Sequence, residues 1–575
     1  MARGLRKGLT SYGDDEFSLF LRSAFIKAMG YSDDALERPI VGITNTYSDY
    51  NPCHGNVPDL IESVKRGVML AGALPMVFPT MTMHESFIHP TAMYLRNLMA
   101  METEEMIRCQ PMDAVVLIGG CDKTLPAQIM AAASANLPAV VLPTGPMIVG
   151  HYKGEVLGAC TDCRRLWAKF RAGQMDAAEI NVVNARLAPS VGTCMVMGTA
   201  STMACVTEAL GLSLPTSATI PAVYAERRRL AEASGKRAAE MAIAGGPTPS
   251  EILSEKSIRN ALVILQAIGG STNGLIHLTA IAGRMGLRID LDDFDRLGRE
   301  VPVLVDLKPT GQHYMEHLHE AGGIPRVMKE LSDLLALDAR TVGGTVAGAV
   351  AAAEEVPGQD VIRPRSNPLR TQGTLAVLRG NLAPHGALIK QSAATESLLQ
   401  HTGRAVVFDS VEAMTKQLDS EDLDVTPDSV LVLRNAGPKG APGMPEAGYI
   451  PIPKKLSRTG VKDMVRISDA RMSGTAFGTI VLHIAPEAAA GGPLALVRTG
   501  DLIRLDVGNR RIDLLVDDAE LRLRAGESTA PVHPDWDASR GYAKLFLDSV
   551  LQADEGCDFD FLVKNPSAKE KNAAR

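Results

Sequence analysis

The chain has 575 residues, with 59 basic and 66 acidic side chains and a formal net charge of -7. Because a single hydrophobic core stops growing near ~250–300 residues, this length predicts at least two domains. The charge is small and is not gathered into a block of one sign, which argues against nucleic acid as a partner. No stretch approaches the ~20 apolar residues of a membrane span, so we expect a cytoplasmic protein that does not enter membranes.

The first part of the chain alternates short β-branched runs with helical patterns. "PIVGIT" precedes "VPDLIESVKRGVMLAG", and "AVVLIGG" precedes "PAQIMAAASAN". This alternation, which we extend to about residue 365, predicts an α/β domain with a mostly parallel sheet flanked by helices. The polar, proline-bearing stretch "VIRPRSNPLRTQG" is typical of an interdomain linker, so we place the first domain at residues 1–370.

The second part, residues 371–575, contains short strands separated by glycine turns. Examples are "GTLAVLRG", "RAVVFDS", "SVLVLRNAG" and "GTIVLHIAP", and "SVEAMTKQL" is one of few helical windows. This pattern predicts a β-rich, barrel-like or sandwich domain.

Three cysteines occur in glycine-bearing turns before predicted helices. Cys121 follows the strand "AVVLIGG", and we expect Thr124 to cap the next helix. Cys53 lies in "NPCHGN" between a strand and a helix, and Cys194 lies in "GTCMVMG", where the preceding strand is less clear. A thiolate in this position faces the positive end of a helix, which lowers its pKa.

The successive separations of these cysteines are 68 and 73 residues, far too long for a zinc finger. They suit an iron–sulfur cluster assembled from three loops at one sheet edge, with one iron open to a substrate oxygen. The alternative is that they are buried and act as small apolar residues. We expect that role for Cys109, Cys205 and Cys557. Cys160 and Cys163 form a CxxC without a second CxxC, and we interpret them as a loop pair.

Three acids lie in loops near predicted strands. Asp122 adjoins Cys121, Glu85 follows "PMVFPT", and Glu446 lies in the glycine- and proline-rich loop "NAGPKGAPGMPE". Carboxylates from separate loops commonly hold Mg²⁺. Each acid alone is better interpreted as a solvated loop residue, so the hypothesis depends on their convergence.

Ser473 precedes Gly474 in "VRISDARMSGTAFGT", between two predicted strands. The sequence is not a GxSxG elbow and no His–Asp pair is assignable to it, which disfavours a hydrolase triad. A Ser-Gly pair is by default a turn. An alkoxide there would need nearby cations, which a metal and Lys123 would supply.

Seven segments together resemble the family of dihydroxy-acid and sugar-acid dehydratases, which includes 6-phosphogluconate dehydratase. They are "NPCHGN", "GGCDKTLP", "GTCMVMGTASTM", "GGSTNGLIHL", "GNLAPHGALIK", "NAGPKGAPGMPE" and "SDARMSGTAFGTIVLHIAPEAAAGGPLA". The resemblance runs from about residue 38 to residue 565. It implies an α/β domain that carries a cluster and a barrel-like domain that closes over it, in a homodimer or homotetramer.

Carried over position by position, the resemblance implies roles for named residues. The iron–sulfur ligands would be Cys53, Cys121 and Cys194. The Mg²⁺ ligands would be Glu85, Asp122, carbamylated Lys123 and Glu446. Ser473 would be the catalytic base, and Ser473 and Thr475 would contact the substrate.

"HESFIHPTAMYLRN" and "VRISDARMSGTAFGT" resemble the L-arabinonate and D-xylonate dehydratase subgroup more than the branched-chain enzymes. The resemblance implies conversion of a 2,3-dihydroxy acid, such as L-arabinonate, D-xylonate or D-gluconate, to the 2-keto-3-deoxy acid. It favours a 2Fe-2S cluster, with 4Fe-4S left open. The alternatives are dihydroxyisovalerate or glycerate as substrate, a non-catalytic iron–sulfur sensor, and a zinc or thiol hydrolase.

Overall fold

The computed structural model describes residues 3–9, 12–527 and 537–564. A four-stranded parallel sheet lies at the centre of the N-terminal part, with strands β1 (Ile40–Asn45), β2 (Leu74–Pro79), β3 (Ala114–Gly119) and β4 (Ala139–Pro143). Their order is β2-β1-β3-β4. Every residue of β3 and β4 is buried, as expected for parallel strands covered by helices on both faces. The predicted parallel sheet is confirmed.

Sixteen helices of the described residues belong to this part of the chain. They are α1 (Asp15–Ala28), α2 (Asp33–Leu36), α3 (Val57–Leu70), α4 (Ala92–Cys109), α5 (Thr124–Ala135), α6 (Thr161–Arg171), α7 (Ala177–Leu187), α8 (Thr199–Ala209), α9 (Ala225–Ala244), α10 (Pro249–Ile252), α11 (Glu255–Ala267), α12 (Thr272–Arg284), α13 (Leu291–Glu300), α14 (Met315–Glu320), α15 (Gly323–Glu330) and α16 (Val346–Ala351). In α3, Leu60, Val64 and Val68 recur every four residues and are buried. This spacing puts them on one face, which packs against β1, β2 and α9.

The expected strand–helix alternation ends at β4 rather than near residue 365. Beyond β4 the described chain is mainly helical, with two small hairpins: β5 (Gly150–Tyr152) with β6 (Glu155–Leu157), and β7 (Arg340–Thr341) with β8 (Gly344–Thr345). Every residue of α8 is buried. This is the helix predicted after Cys194, and a helix that is buried on all sides carries little amphipathic pattern.

The C-terminal part forms a closed eight-stranded barrel, which confirms the predicted barrel-like domain. Its strands are β9 (Leu375–Gly380), β10 (Ala383–Lys390), β11 (Gln400–Phe408), β12 (Val430–Leu433), β13 (Arg466–Ser468), β14 (Ile480–Ala485), β15 (Leu502–Asp506) and β16 (Arg511–Leu514). The order is β10-β14-β13-β12-β11-β15-β16-β9, and β11 to β14 pair in parallel. The helices here are α17 (Val411–Gln417), α18 (Lys454–Arg458), α19 (Asp518–Glu527) and α20 (Gly541–Ser549).

The end of the described chain returns to the N-terminal domain. Arg284 of α12 forms a fully buried, two-pronged ion pair with Asp558, at 2.5 and 3.0 Å. Arg96 of α4 donates to the carbonyl oxygens of Gly556 and Cys557 at 2.9 and 2.8 Å. These contacts fix the C-terminal segment against α4 and α12. Across the described ranges, no helix combines the length and the apolar character needed to cross a bilayer.

Candidate metal centre and active site

The connections of the sheet create a crevice between β1 and β3. The chain leaves β1 through α3 to β2 on one side, and then crosses through α4 to β3 on the other side of β1. In open parallel sheets, ligands bind outside the carboxyl ends of the strands at such a switch point. Cys53 follows β1 and Cys121 follows β3, so both lie at this position.

Cys53 and Cys121 meet at the switch point. Their Sγ atoms and a ring nitrogen of His84 all lie within 4.8 Å of one another. Gly120 precedes Cys121 in a tight turn, where a Cβ atom would lie 1.8 Å from the Oγ1 of Thr144. Thr144 in turn donates a hydrogen bond to the carbonyl oxygen of Cys53 at 2.8 Å. Only glycine therefore allows the two cysteine loops to approach so closely.

His54 ties the same two loops together. Its Nε2 accepts hydrogen bonds from the backbone amides of Gly120 at 2.9 Å and Cys121 at 3.2 Å, and its Nδ1 lies 2.8 Å from the carbonyl oxygen of Thr46. Burial lowers the pKa of His54 to about 4. The ring is therefore neutral, and this network requires the proton on Nδ1.

Cys194 approaches the pair from the loop before α8. The hydroxyl of Ser201 in the first turns of α8 donates to the carbonyl oxygen of Cys194 at 2.9 Å. The Sγ atoms of Cys194 and Cys160 are 3.1 Å apart, and the charge on Cys121 acts on Cys194. The backbone amide of Gly192 donates to the carbonyl oxygen of Pro52 at 3.2 Å, so the loops of Cys194 and Cys53 adjoin each other. The Cys194 sulfur is not, however, within 4.8 Å of both Cys53 and Cys121. The strand expected before Cys194 is absent from the described chain, where Thr193 forms only an isolated bridge to Pro146.

Two of the thiols in this region, Cys53 and Cys194, resist ionisation, whereas contact with Cys194 lowers the pKa of Cys160. A hydrogen bond to Cys121, together with burial, raises the pKa of Cys53 well above its usual value. Contact with Cys160 and burial do the same for Cys194. Closely spaced thiolates repel one another in a buried space, and binding to iron removes that cost. The donor set therefore fits a sulfur-ligated metal centre, for which thiolates are the preferred ligands.

A second, oxygen-rich group adjoins the sulfurs. Carboxylate oxygens of Glu85, Asp122 and Glu446 lie within 4.8 Å of one another. Glu85 comes from the loop after β2, Asp122 from the turn after β3, and Glu446 from the loop after β12 of the barrel. The convergence on which the Mg²⁺ hypothesis depended is therefore present, and three carboxylates from separate loops fit a hard cation.

Two buried cations accompany these carboxylates. Lys123 forms an ion pair with Asp122, and its Nζ lies 3.5 Å from Glu85 and 3.9 Å from Glu446. Arg471 donates to Glu446 at 3.0 Å and lies 3.9 Å from Glu85. Burial and Arg471 act to lower the pKa of Lys123, but the three carboxylates outweigh them and raise it. Three acids against two cations leave one unbalanced negative charge, which a bound metal ion would compensate.

Ser473 lies in a loop that three side chains hold from different elements. Asn273 of α12 donates to the carbonyl oxygen of Met472 at 3.0 Å, and Lys390 of β10 donates to that of Gly474 at 3.5 Å. Thr161 of α6 donates to the carbonyl oxygen of Thr475 at 3.1 Å. The loop that carries the hydroxyl is therefore clamped on both sides of Ser473.

The hydroxyl oxygens of Ser473 and Thr475 are 2.8 Å apart. Asn273 also lies 3.5 Å from Glu446, so it connects the serine loop with the carboxylates. Its Oδ1 is buried without a hydrogen-bond partner among the described residues. An unpaired buried acceptor of this kind suits a substrate hydroxyl.

Sequence reasoning assigned no role to three residues that organise the site, His54, Arg471 and Asn273. Each lies within a quoted segment, beside a cysteine, a serine or a helix start. Two smaller predictions are wrong. Lys123 rather than Thr124 occupies the N-cap of α5, and Cys109 at the end of α4 is exposed instead of buried.

The sulfur and carboxylate groups at the sheet edge are candidate metal ligands, and comparison with known proteins gives the class of the protein. Residues 38–350 match the model of the N-terminal domain of dihydroxy-acid/6-phosphogluconate dehydratase, and residues 360–557 match that of its C-terminal domain. The chain therefore belongs to the dihydroxy-acid/6-phosphogluconate dehydratase family. It is a dehydratase, and thus a hydro-lyase.

Its relatives include sugar-acid dehydratases. It is 48% identical to an L-arabonate dehydratase of Azospirillum brasilense, covering 97% of each chain. It is 43% identical to a 6-deoxy-6-sulfo-D-gluconate dehydratase of Pseudomonas putida, covering 94% of this chain and 93% of that one. It is 38% identical to a dihydroxy-acid dehydratase of Acetivibrio thermocellus, covering 93% of this chain and 96% of the relative.

Proposed function

We propose that the protein removes water from a 2,3-dihydroxy sugar acid of the aldonate type and forms the 2-keto-3-deoxy acid. In this proposal Cys53, Cys121 and Cys194 hold an iron–sulfur cluster. Glu85, Asp122, Glu446 and carbamylated Lys123 hold Mg²⁺. One observation carries the proposal: a soft sulfur donor set and a hard oxygen donor set adjoin each other and share the peptide bond between Cys121 and Asp122.

When bound, the two metal groups would supply Lewis acidity that stabilises negative charge on substrate oxygens. Ser473 takes the proton from C2 of the substrate through its Oγ. The Thr475 hydroxyl, 2.8 Å away, donates a hydrogen bond that stabilises the deprotonated serine. Loss of the C2 proton and the C3 hydroxyl leaves an enol, which becomes the keto acid without net oxidation or reduction.

The clamped loop gives this proton transfer its geometry. Asn273, Lys390 and Thr161 fix the carbonyl groups that flank Ser473, so the hydroxyl is oriented before substrate binds. Arg471 and Asn273 contact Glu446 from the same side. They couple the position of the base to that of the metal-binding carboxylates.

Identity to the relatives supports a sugar acid as substrate. The relatives named for L-arabonate and sulfogluconate are 48% and 43% identical, against 38% for the relative named for dihydroxy acids. We infer a 2Fe-2S cluster from the resemblance to the aldonate dehydratases, with 4Fe-4S left open. We also propose that the enzyme is cytoplasmic.

The test is anaerobic purification, measurement of iron, sulfide and Mg²⁺, and a panel of acids scored by keto-acid release. The panel contains L-arabinonate, D-xylonate, D-gluconate, glycerate and 2,3-dihydroxyisovalerate. We expect turnover of at least one five- or six-carbon aldonate, dependent on Mg²⁺. A protein that binds a cluster without Mg²⁺ dependence or keto-acid formation would instead be an iron–sulfur sensor. Turnover of dihydroxyisovalerate alone would make it a branched-chain enzyme.

We also propose that the enzyme is a homodimer or homotetramer. Helix α1 exposes the aromatic rings of Phe17, Phe20 and Phe25, with 46%, 67% and 71% of each residue accessible. Adjacent exposed aromatic side chains favour a protein interface. Light scattering on the purified protein measures the assembly, and a monomer at micromolar concentration would contradict the proposal.

A further inference from the structure

Cys160 lies beside the predicted cluster ligands, although its CxxC sequence pairs it with Cys163. The Sγ atoms of Cys160 and Cys194 are 3.1 Å apart. The thiol of Cys163 is directed elsewhere, because it donates to the carbonyl oxygen of Cys160 at 2.9 Å. The two cysteines of the motif therefore have different contacts. Cys160 contacts the sulfur of Cys194, and Cys163 donates a hydrogen bond to the backbone.

The four sulfurs form two close pairs. Cys53 and Cys121 form one pair, with Sγ atoms within 4.8 Å of each other, and Cys160 and Cys194 form the other. The backbone amide of Gly192 donates to the carbonyl oxygen of Pro52 at 3.2 Å, so the loops that carry Cys194 and Cys53 lie against each other. Two thiolates bound tetrahedrally to one metal at ~2.3 Å lie roughly 3.8 Å apart, so the Cys160 and Cys194 sulfurs, at 3.1 Å, need to separate only slightly to share an iron. A 2Fe-2S cluster with four cysteines takes two thiolates on each iron.

We propose that Cys160 is a fourth protein ligand of the cluster in the substrate-free enzyme and shares an iron with Cys194. This inference rests on the proposed function, since it requires that the sulfur group binds a cluster. In this arrangement Cys160 fills the coordination position on iron that three cysteine ligands alone would leave open. Substrate would then replace Cys160 on the iron, so Cys160, which immediately precedes α6, must move away from the iron when substrate enters.

Two other arrangements compete with this one. A disulfide between Cys160 and Cys194 would have a sulfur–sulfur distance of ~2.05 Å, whereas the two sulfurs are 3.1 Å apart, so they are thiols in contact. His84 lies near Cys53 and Cys121 and offers a nitrogen ligand instead. Both are outcomes of the experiment below.

The first experiment compares the spectra of anaerobically reconstituted wild type, Cys160→Ser, Cys163→Ser and His84→Gln. We expect Cys160→Ser to retain iron and sulfide but to shift the visible absorption and the electron paramagnetic resonance of the reduced cluster, because oxygen replaces sulfur. Cys163→Ser is the matched control from the same motif and should superimpose on wild type. A Cys160→Ser spectrum identical to wild type overturns the inference, as does a shift found only in His84→Gln.

The second experiment uses wild type alone, so that it still decides if the variant fails to fold. Cluster-loaded and cluster-free proteins are treated with iodoacetamide without oxygen, and the labelled peptides are quantified. We expect Cys160 to be labelled several-fold less in the loaded protein, with Cys163 as the internal reference. Equal labelling in both states, or a Cys160–Cys194 disulfide in the loaded protein, overturns the inference. Absence of iron and sulfide from wild type would instead contradict the proposed function.

Discussion

The two domains position their site residues in different ways. On the sheet side, Cys121 and Asp122 lie two and three residues beyond β3, and both backbone hydrogen bonds and the ring of His54, which accepts from the Cys121 amide, hold their turn. On the barrel side, Glu446 and Ser473 lie in loops 13 residues beyond β12 and five beyond β13. Side chains from other elements clamp those loops. The comparison teaches that the sheet places Cys121 and Asp122 directly after a buried strand, whereas the barrel contributes Glu446 and Ser473 from longer loops whose position depends on side chains of other elements.

Replacement of Ser473 by alanine tests the barrel side most directly. We expect kcat to fall by ~10²–10⁴-fold, the usual contribution of a general base, with unchanged iron, sulfide and Mg²⁺ content. Thr475→Val, which removes the hydrogen bond to Ser473, should cause a smaller loss. Steady-state keto-acid release measures both. Full activity in Ser473→Ala would exclude this serine as the base.

Replacement of Asp558 by asparagine tests how the sheet domain holds the C-terminal segment. The change removes the fully buried, two-pronged partner of Arg284 and leaves Glu104, 3.4 Å away, as its remaining counter-ion, so we expect a cost of up to ~3–5 kcal/mol in the free energy of unfolding. We expect a lower thermal midpoint by circular dichroism and faster proteolysis of the C-terminal segment. Asp548→Asn is the control, because its ion pair with Lys544 is exposed. Equal thermal midpoints for Asp558→Asn and Asp548→Asn would show that the ion pair between Arg284 and Asp558 does not hold the C-terminal segment.

Lys390→Met separates the stability of the barrel from the position of its loop. Burial lowers the pKa of Lys390 from 10.5 to about 7. Between these values the unfolded chain holds the proton and the folded chain does not, so this group makes wild type more stable as pH rises from 7 towards 10.5. The cost of burying Lys390, which lowers the free energy of unfolding, is fully present below pH 7. Methionine removes this cost. We expect the free energy of unfolding of Lys390→Met to exceed that of wild type by ~1–4 kcal/mol at pH 7, and the difference to vanish near pH 10.5.

Thermal midpoints at pH 7, 8.5 and 10 measure this effect for wild type and Lys390→Met. Lys416→Met on the exposed surface of α17 serves as control and should leave the pH profile unchanged. A variant that is less stable than wild type at every pH would show that the contact of Lys390 with Gly474 outweighs its burial.

The smallest expected effect concerns an ion pair between the domains. Arg171 of α6 donates to both carboxylate oxygens of Asp419 at 2.9 Å, and both side chains are partly exposed. Arg171→Gln should cost at most ~1 kcal/mol, because solvent and salt screen such pairs. Chemical unfolding in low and high salt measures it. A loss above ~2 kcal/mol in the free energy of unfolding, or one that persists in molar salt, would contradict this expectation. It would mean that the Arg171–Asp419 ion pair is a major contact between the two domains.

The sequence predicted the sheet side better than the barrel side for a physical reason. Buried β-branched runs such as "AVVLIGG" mark strand ends, so Cys121 could be placed at a sheet edge from pattern alone. Glu446 lies in a glycine- and proline-rich loop without periodicity, so the sequence marked it as a possible Mg²⁺ ligand but could not place it beside the other two carboxylates. Asn273 and Arg471 act through partners far away in sequence, a relation that no local pattern records. Strand β10 was not predicted because Pro384 and Gly386 interrupt its alternation.

In the proposed function, the single peptide bond between Cys121 and Asp122 joins the iron–sulfur site to the Mg²⁺ site and makes the two sites interdependent. Displacement of that turn by loss of iron would also move a carboxylate of the magnesium site, so each metal should change the affinity for the other by the same factor. Oxidative damage to the sulfur-bound metal would then appear first as weaker binding of magnesium, even where every oxygen ligand is intact.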